Sequence, residues 1–377
     1  MPDEKDGMVA IYSDSYYPAQ DGVVTYIDAL RKSLTLVGVS SCVVSTSRKP
    51  GLDMAENVFY ARGMTLPSYP QYSICIRPFS INRRIVDLKP SVVHSQTPFS
   101  MGLSALRVAK LSGARKIATF HSLVFSERAL SAYLISSKAV TRVVHSGLIR
   151  YMRWFYSRFD VLISPSNYIR EKLEEVGIDG SVVVNNGVDI EKYLSCPDRE
   201  SSRKLLGIPL QEKIVLYLGR IGYEKNLEIL IRAAPSLARK GFMVYIVGSG
   251  PSLEYYRKLA SIIAPHNILF KGRVSEEDKL LYFSAADVFC NPSQFEVLST
   301  VDIEAMACGT PLLVPSDSSQ VEIIEGGKGG MAFTSDDPES LADRAEDIVS
   351  RKYSPRDLTQ KYSLENHGRK MSSIYFK

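Results

Sequence analysis

The chain has 377 residues, 45% of them hydrophobic and 23% charged. At roughly 150 residues per domain that is two domains, and the composition excludes global disorder. Its 46 Lys/Arg and 41 Asp/Glu give a net charge of +5; no apolar run approaches the ~18 residues of a membrane span, and the start, Met1-Pro-Asp-Glu-Lys-Asp6, is too polar for a signal peptide. The five cysteines, Cys42, Cys75, Cys196, Cys290 and Cys308, are odd in number and lack a CxxC pair. They are expected to be buried, reduced thiols of a cytosolic protein, with neither zinc nor a disulfide.

In chain order, Met8–Ser13 is a short apolar strand followed by the turn-like Ser15–Gly22. Val23, Ile27, Leu30 and Leu34 then recur at helical spacing, and Cys42–Ser45 is a second strand. The unit recurs at Ser91–His94 with a helix from about Ser100, at Lys116–Phe120, and at Val161–Ser164 with a helix over Tyr168–Val176. Residues 189–207 are polar and break the series. It restarts at Lys213–Leu218, Phe242–Val247, Ile268–Phe270, Val288–Cys290 and Pro311–Val314, with a helix between successive strands and a closing helix near Tyr362–Lys377. Alternating short strands and helices imply parallel sheets covered on both faces. The expected domains are 1–190 and 191–358, followed by a C-terminal helix, 359–377, packing back on the first. Ligands of such sheets bind beyond the carboxyl ends of the strands. The chemistry is therefore sought in the strand-exit loops at Ser13–Gly22, Phe120–Ser122, Gly219–Lys225, Gly248–Pro251, Gly272–Val274 and Pro292–Glu304.

Gly248-Ser-Gly250-Pro251 lacks the third glycine of a dinucleotide fingerprint, so its glycines are read either as a phosphate loop or as a tight turn. Gly219-Arg220-Ile-Gly-Tyr-Glu-Lys225 sets two cations five residues apart at a strand exit that leads into a helix, where a diphosphate would fit. Glu296 and Glu304 bracket a loop-to-helix transition ending at Gly309 and Pro311. With Leu298–Val301 as the first turn, its amides would face a phosphate while the flanking carboxylates accept from hydroxyls, which describes a nucleotide sugar. Asp302 and Glu304, two apart on a helix, point in different directions and are not a metal site. His121, at the end of its strand, is either a hydroxyl-orienting histidine or a packed one.

Residues 1–190 carry 22 basic and 16 acidic residues, against 24 and 25 in 191–377. Within 61–160 there are fifteen basic and three acidic residues, interleaved with aromatics. An anionic bilayer, nucleic acid, and a merely solvated surface remain open as explanations. Lys138–Arg158 has five cations, no acid, and Val143, Val144, Leu148, Ile149, Met152, Trp154 and Phe155. That pattern suits an interfacial amphipathic helix presenting Arg142, Arg150, Arg153 and Trp154, or a helix whose apolar residues pack on the sheet.

Taken together the motifs resemble family 4 of the retaining glycosyltransferases, which have the GT-B architecture: α/β, two doubly wound Rossmann-like domains facing across a cleft. The residues are Pro18–Thr25, Thr119-Phe-His-Ser122, Ser164–Asn167, Asn186–Asp189, Gly219–Lys225, Val247–Pro251, and the E-x7-E of Glu296 and Glu304 running into Glu-Ala-Met-Ala-Cys-Gly-Thr-Pro311. Tyr16–Thr25, Pro67–Tyr72 and His94–Gly102 look most like the members that glycosylate diacylglycerol and related membrane lipids. The resemblance implies that Arg220 and Lys225, after Gly219, hold the donor diphosphate and stabilise its departure. It gives Glu296 the sugar hydroxyls, the backbone of Leu298, Ser299 and Thr300 a phosphate, Glu304 the ribose, and Val274 the base. It sets His121 beside the donor sugar and lets Gly22 admit the phosphates. Many members have Gly-Gly where this chain has Asp21-Gly22, and a Phe-Gly-Leu-type loop where it has Val297–Thr300.

The resulting expectation is hexose transfer from a UDP- or GDP-sugar to a lipid hydroxyl with retention, giving an α-linkage. It needs no cofactor or metal, and acts at the inner face of the membrane as a peripheral cytoplasmic enzyme without nucleic acid. The rival readings are the same transfer to a sugar phosphate or polysaccharide, an NAD-dependent oxidoreductase lacking its third glycine and ribose acid, and a nucleic-acid-binding module lacking a recognised motif.

Overall fold

The computed structural model describes residues 7–19, 21–47, 50–66, 69–121 and 138–377. Gln20, Pro67, Ser68 and Ser122 of the motifs above lie outside them. The chain divides into two compact units, Met1–Gly187 with Leu364–Lys377, and Val188–Ser363.

In the first unit the strands are β1 (Met8–Tyr12), β2 (Ser40–Ser47), β3 (Gly51–Asp53), β4 (Val58–Leu66), β5 (Tyr69–Cys75), β6 (Val92–Ser95), β7 (Arg115–Thr119), β8 (Val161–Ser164) and β9 (Val182–Val183). The helices are α1 (Gly22–Leu36), α2 (Asn82–Asp87), α3 (Ser100–Ser112), α4 (Lys138–Tyr156) and α5 (Asn167–Glu175). Among the described residues the sheet runs β3-β4-β2-β1-β6-β7-β8-β9, with β5 antiparallel on β4. The pairs from β4 through β2 and β1 to β9 are parallel. Val9, Ala10, Ile11 and Tyr12 are all fully buried, as a central parallel strand covered on both faces requires. The hairpin of β3–β5, which the sequence reading passed over, forms an antiparallel edge.

Asp21 starts α1: its Oδ1 accepts from the amides of Val23 and Val24, both at 2.9 Å. Ile27, Leu30 and Leu34, three of the four residues at helical spacing, are buried against the sheet. Asp14, just past β1, is a half-buried carboxylate that accepts from Thr97 Oγ1 at 2.6 Å, from Ser100 Oγ and from the amide of Met101 at 3.0 Å. It ties the exits of β1 and β6 to the start of α3. Burial pushes its carboxyl up, and these hydrogen bonds oppose the shift.

The second unit has strands β10 (Lys213–Leu218), β11 (Phe242–Val247), β12 (Ile268–Gly272), β13 (Val288–Cys290), β14 (Leu312–Pro315) and β15 (Gly330–Phe333). Its helices are α6 (Ile190–Leu194), α7 (Arg199–Leu206), α8 (Leu227–Arg239), α9 (Leu253–Ile263), α10 (Glu276–Ala285), α11 (Thr300–Ala307) and α12 (Pro338–Val349). The sheet order is β12-β11-β10-β13-β14-β15, all parallel. Order reverses between β10 and β13, so loops distant in sequence emerge side by side there.

The last helix, α13 (Leu364–Tyr375), belongs to the first unit and lies along α1. A Cβ at Gly368 would sit 2.2 Å from the carbonyl oxygen of Ser33, so the two helices meet backbone to backbone there. Met371 and Tyr375 are buried, and the Tyr375 hydroxyl is 2.8 Å from Nδ1 of His94.

One expectation is overturned. Cys196 and Cys308 form a disulfide, with Cα atoms 5.7 Å apart across a sequence separation of 112. The segment after α6 is folded against the C-terminal end of α11, a proximity that spacing along the chain cannot show. Cys42, Cys75 and Cys290 are free and buried, and desolvation raises all three thiols above their usual range.

A buried polar frame holds the loop after β13. Asn291 Nδ2 donates to Asp302 Oδ1 at 2.8 Å and to Ser299 Oγ at 3.0 Å, and Gln320 Nε2 donates to Asp302 Oδ2 at 2.9 Å. Asp302 is fully buried; desolvation pushes its carboxyl up to about 7, against the hydrogen bonds from Asn291 and Gln320. Between the ordinary carboxylate value and about 7 the folded chain holds a proton that the unfolded chain has released. This group's contribution to stability therefore declines as pH rises through that window, by at most about 1.4 kcal/mol per unit, and levels off above it. Urea melts from pH 4 to 8 should show that slope in the wild type and a flatter profile in Asp302→Asn.

Candidate active site

The carboxyl end of β10 leads through Gly219 into Arg220–Lys225. A Cβ at Gly248 would lie 1.8 Å from the carbonyl oxygen of Gly219, and one at Gly250 would lie 2.2 Å from that of Ile221. The Ile221 amide donates to Ser249 O at 2.9 Å, and the Ser252 amide donates to Ile221 O at 3.1 Å. The glycines after β11 thus let two exit loops touch through their backbones. That packing gives both glycines a structural reason, a close backbone approach, which neither the phosphate-loop nor the tight-turn reading had named.

Lys225 ends a single 3-10 turn, Tyr223–Lys225, and Asn226 in the left-handed region redirects the chain into α8. The ammonium of Lys225 lies 2.5 Å from Glu296 Oε1. Burial, the largest single influence, would lower the lysine's pKa, but the charge and hydrogen bond of Glu296 together with the charges of Glu224 and Asp302 outweigh it, and the net shift is upward. Arg220 Nη1 lies 2.8 Å from Glu224 Oε1, with its side chain about half exposed. Ser293 Oγ donates to Glu224 O at 3.1 Å, and Ser319 Oγ to Glu296 O at 2.7 Å. Two of the expected site residues, Lys225 and Glu296, therefore meet directly, and Arg220 shares their loop.

Helix α11 begins at Thr300 with Ser299 as its cap, two residues later than expected. Leu298 and Ser299 precede the helix. The intrahelical ladder starts four residues on, so the first-turn amides of α11 point outward from its N-terminus. Glu304 is buried rather than facing solvent, with Oε2 2.7 Å from Nζ of Lys279. The same lysine lies 3.2 Å from the Tyr193 hydroxyl. Asp302 and Glu304 diverge as their spacing requires, one to Asn291 and Gln320, the other to Lys279. Val274 follows β12 and is half-buried against the core of this unit. Sequence reasoning missed Lys279, Asn291 and Gln320, which carry no motif of their own and reach the site only through the fold.

In the first unit, His121 Nε2 lies 2.7 Å from Gln96 Oε1 and its ring packs edge-on against Tyr26 at 4.4 Å. Burial pushes His121 down to about 3, the nearby Asp21 charge opposing the shift. Gly22 is the first residue of α1, and a Cβ there would meet no atom within 4 Å, so no protein contact demands glycine. The Asp21 carboxylate already takes the Val23 and Val24 amides.

Helix α4 divides its apolar residues. Met152, Phe155 and Tyr156 are buried, whereas Val143 is 73% exposed and Trp154 43%. At about 100° per residue, Arg142, Val143, Arg150, Arg153 and Trp154 share the side away from the core. Arg153 Nε donates to Val176 O, and the Arg158 guanidinium lies 4.5 Å over the Trp154 ring. One face of this stretch is therefore core, as the packing reading expects, and the other is an exposed strip of cations with apolar residues among them. Among the described residues no helix is long and apolar enough to cross a membrane.

Residues 20–192 match the family model described as Glycosyltransferase Family 4, and residues 198–363 match that of Glycosyl transferases group 1. The chain is 24% identical to an alpha-monoglucosyldiacylglycerol synthase of Streptococcus pneumoniae over 97% of its own length and 85% of that protein's. It is 28% identical to a phosphatidyl-myo-inositol mannosyltransferase of Mycobacterium leprae, covering 89% of this chain and 85% of that one. Its fold is shared with Alr3699/HepE of Anabaena, solved in complex with UDP-glucose, at a TM-score of 0.71 and 15% identity over 98% of this chain and 99% of that one. With two parallel-sheet units of this architecture and both halves matched, the chain belongs to glycosyltransferase family 4 and is a GT-B hexosyltransferase.

Proposed function

We propose that this enzyme moves a hexose from a nucleotide-diphosphate sugar to a hydroxyl of a membrane glycerolipid, with retention, forming an α-linkage. The observation that carries the reading is the contact of Lys225 with Glu296. A part-buried ammonium beside a carboxylate, near a helix N-terminus, offers one group for phosphate oxygens and one for sugar hydroxyls a few ångströms apart.

In this mechanism Arg220 and Lys225 bind the diphosphate and neutralise the charge that grows as it leaves, aided by the amides at the start of α11. Their positive field serves in place of a metal ion. Glu296 holds sugar hydroxyls, Glu304 the ribose, and the backbone at Val274 the base. The acceptor hydroxyl attacks from the face the diphosphate leaves, and a phosphate oxygen takes its proton. His121 meets the donor sugar as a neutral ring.

Lipid as acceptor rests on the exposed strip of α4 and on the two relatives whose names contain a diacylglycerol and a phosphatidylinositol. Each cation near an anionic surface contributes about 1 kcal/mol, less in salt. The enzyme accordingly works at the inner face of the membrane.

The deciding assay supplies UDP-glucose, UDP-galactose or GDP-mannose with total lipid extract and scores nucleotide release and product mass. A glycosylated lipid is expected; product only on added sugar phosphate would discard the lipid acceptor. Lys225→Ala and Glu296→Ala should each lower transfer roughly 10²- to 10³-fold, the usual loss for one preorganised charge-stabilising group, in a chain that still folds but melts at a lower Tm because the remaining partner is left unpaired. Near-normal transfer in either would remove that residue from the site. The chain should co-sediment with phosphatidylglycerol vesicles at low salt and release at high salt. Reversing Arg142 and Arg150 to Glu should abolish sedimentation, and unchanged binding would refute the α4 surface.

A further inference from the structure

Gln96 follows β6 and is 1% exposed, and its amide nitrogen in the main chain donates to Tyr12 O at 2.8 Å, extending the register with β1. Its side-chain Oε1 is 2.7 Å from His121 Nε2, and its side-chain Nε2 is buried with no partner among the described residues. With the carboxamide oxygen, an acceptor only, turned to the ring, the imidazole Nε2 carries the hydrogen, and a neutral ring then has a bare Nδ1. Burial pushes the ring's pKa down to about 3, against the nearby Asp21 charge, and so favours the neutral form. Among the described residues the charged and titratable groups facing it are Asp21 from the cap of α1, Tyr26 from α1 and His94 from β6. His94 is itself fully buried between Thr119 and Tyr375 and is a packed histidine, so the two strand-borne histidines differ in kind.

We propose that Gln96 is a positioning residue that fixes the tautomer of His121, presenting Nδ1 as a hydrogen-bond acceptor to a hydroxyl of the transferred sugar. The proposal rests on the function proposed above. A His121 so held is neither a general acid nor a phosphate ligand; it selects a sugar that offers an O–H donor. The unpaired Nε2 of Gln96 supplies the complement, a buried donor suited to a neighbouring oxygen of the same ligand or to a water bridging to it.

The test uses the full chain labelled with 15N-histidine, with the His121 signal assigned by its loss in His121→Gln, and donor kinetics on the same samples. Long-range 1H–15N spectra should show His121 protonated on Nε2 and bare on Nδ1 from pH 5 to 8. Gln96→Met, of similar volume, should lose the single tautomer and lower kcat about 10- to 100-fold, the range seen when a partner that orients a functional histidine is removed, while the remaining histidine signals stay in place. Gln96→Glu should keep the Nε2–H form and recover most of the transfer at high pH. Its new negative charge raises the ring's pKa, so transfer in this variant should fall as pH drops and the imidazolium forms.

A wild-type ring protonated on Nδ1 would overturn the proposal, as would wild-type transfer by Gln96→Met. So would a Gln96→Glu variant as inactive as Gln96→Met at every pH, since the amide would then donate to the ring rather than accept from it. Should the wild type release no nucleotide from any donor tried, the proposed function fails, and the spectra still decide the tautomer by themselves.

Discussion

Lys225 and Glu296 are 71 residues apart in sequence and 2.5 Å apart at their charged atoms, and the second unit is arranged so that this pair can exist. A parallel sheet sends every strand exit to one edge, and the change of order between β10 and β13 sets the two relevant exits next to each other. Glycines at 248 and 250 let the neighbouring loop press in behind Arg220. Asn291, Asp302 and Gln320 then hold the other side through hydrogen bonds inside the core. Without a ligand the pair also meets an electrostatic need, because either partner alone would be a part-buried unpaired charge.

The chain uses its carboxylates in two ways. Glu296 and Glu304 each face a cation, while Asp302 and Asp14 are held by neutral or main-chain donors and are pushed up by desolvation. The first kind suits contact with ligand hydroxyls, since an ionised oxygen accepts strongly. The second kind is scaffolding: each anchors a loop to the first turn of a helix, Asp14 to α3 and Asp302 within α11. Similar residue types serve opposite ends because their surroundings differ.

Much of the fold could be read from hydrophobic runs. The strands at Lys213–Leu218, Phe242–Val247 and Val288–Cys290 have the bounds that their apolar residues suggest, since buried parallel strands need continuous apolar side chains. The β3–β5 edge escaped because a half-exposed antiparallel hairpin rich in polar and aromatic residues, such as Tyr60 and Arg62, has no such run. In the site, Arg220, Lys225 and Glu296 were visible as charged residues at strand exits. Lys279 beside Glu304, Asn291 and Gln320 around Asp302, and Gln96 beside His121 were not, because an isolated Lys, Asn or Gln in sequence carries no sign of what it will touch. The Cys196–Cys308 bond was illegible for the same reason. In α4, charge pattern revealed the outward strip, but only packing shows that Phe155 and Met152 turn the other way.

The return of α13 to α1 makes the chain pass from one unit to the other twice, after Gly187 and again before Leu364. A segment ending at Gly187 would leave bare the α1 surface that Gly368 and Met371 cover, and would lack Tyr375, the hydroxyl partner of His94. Residues 364–377 are thus an internal wall of the amino-terminal half, synthesised after the second unit. They must emerge from the ribosome before that half can close, so in biosynthesis the second unit can complete its core first.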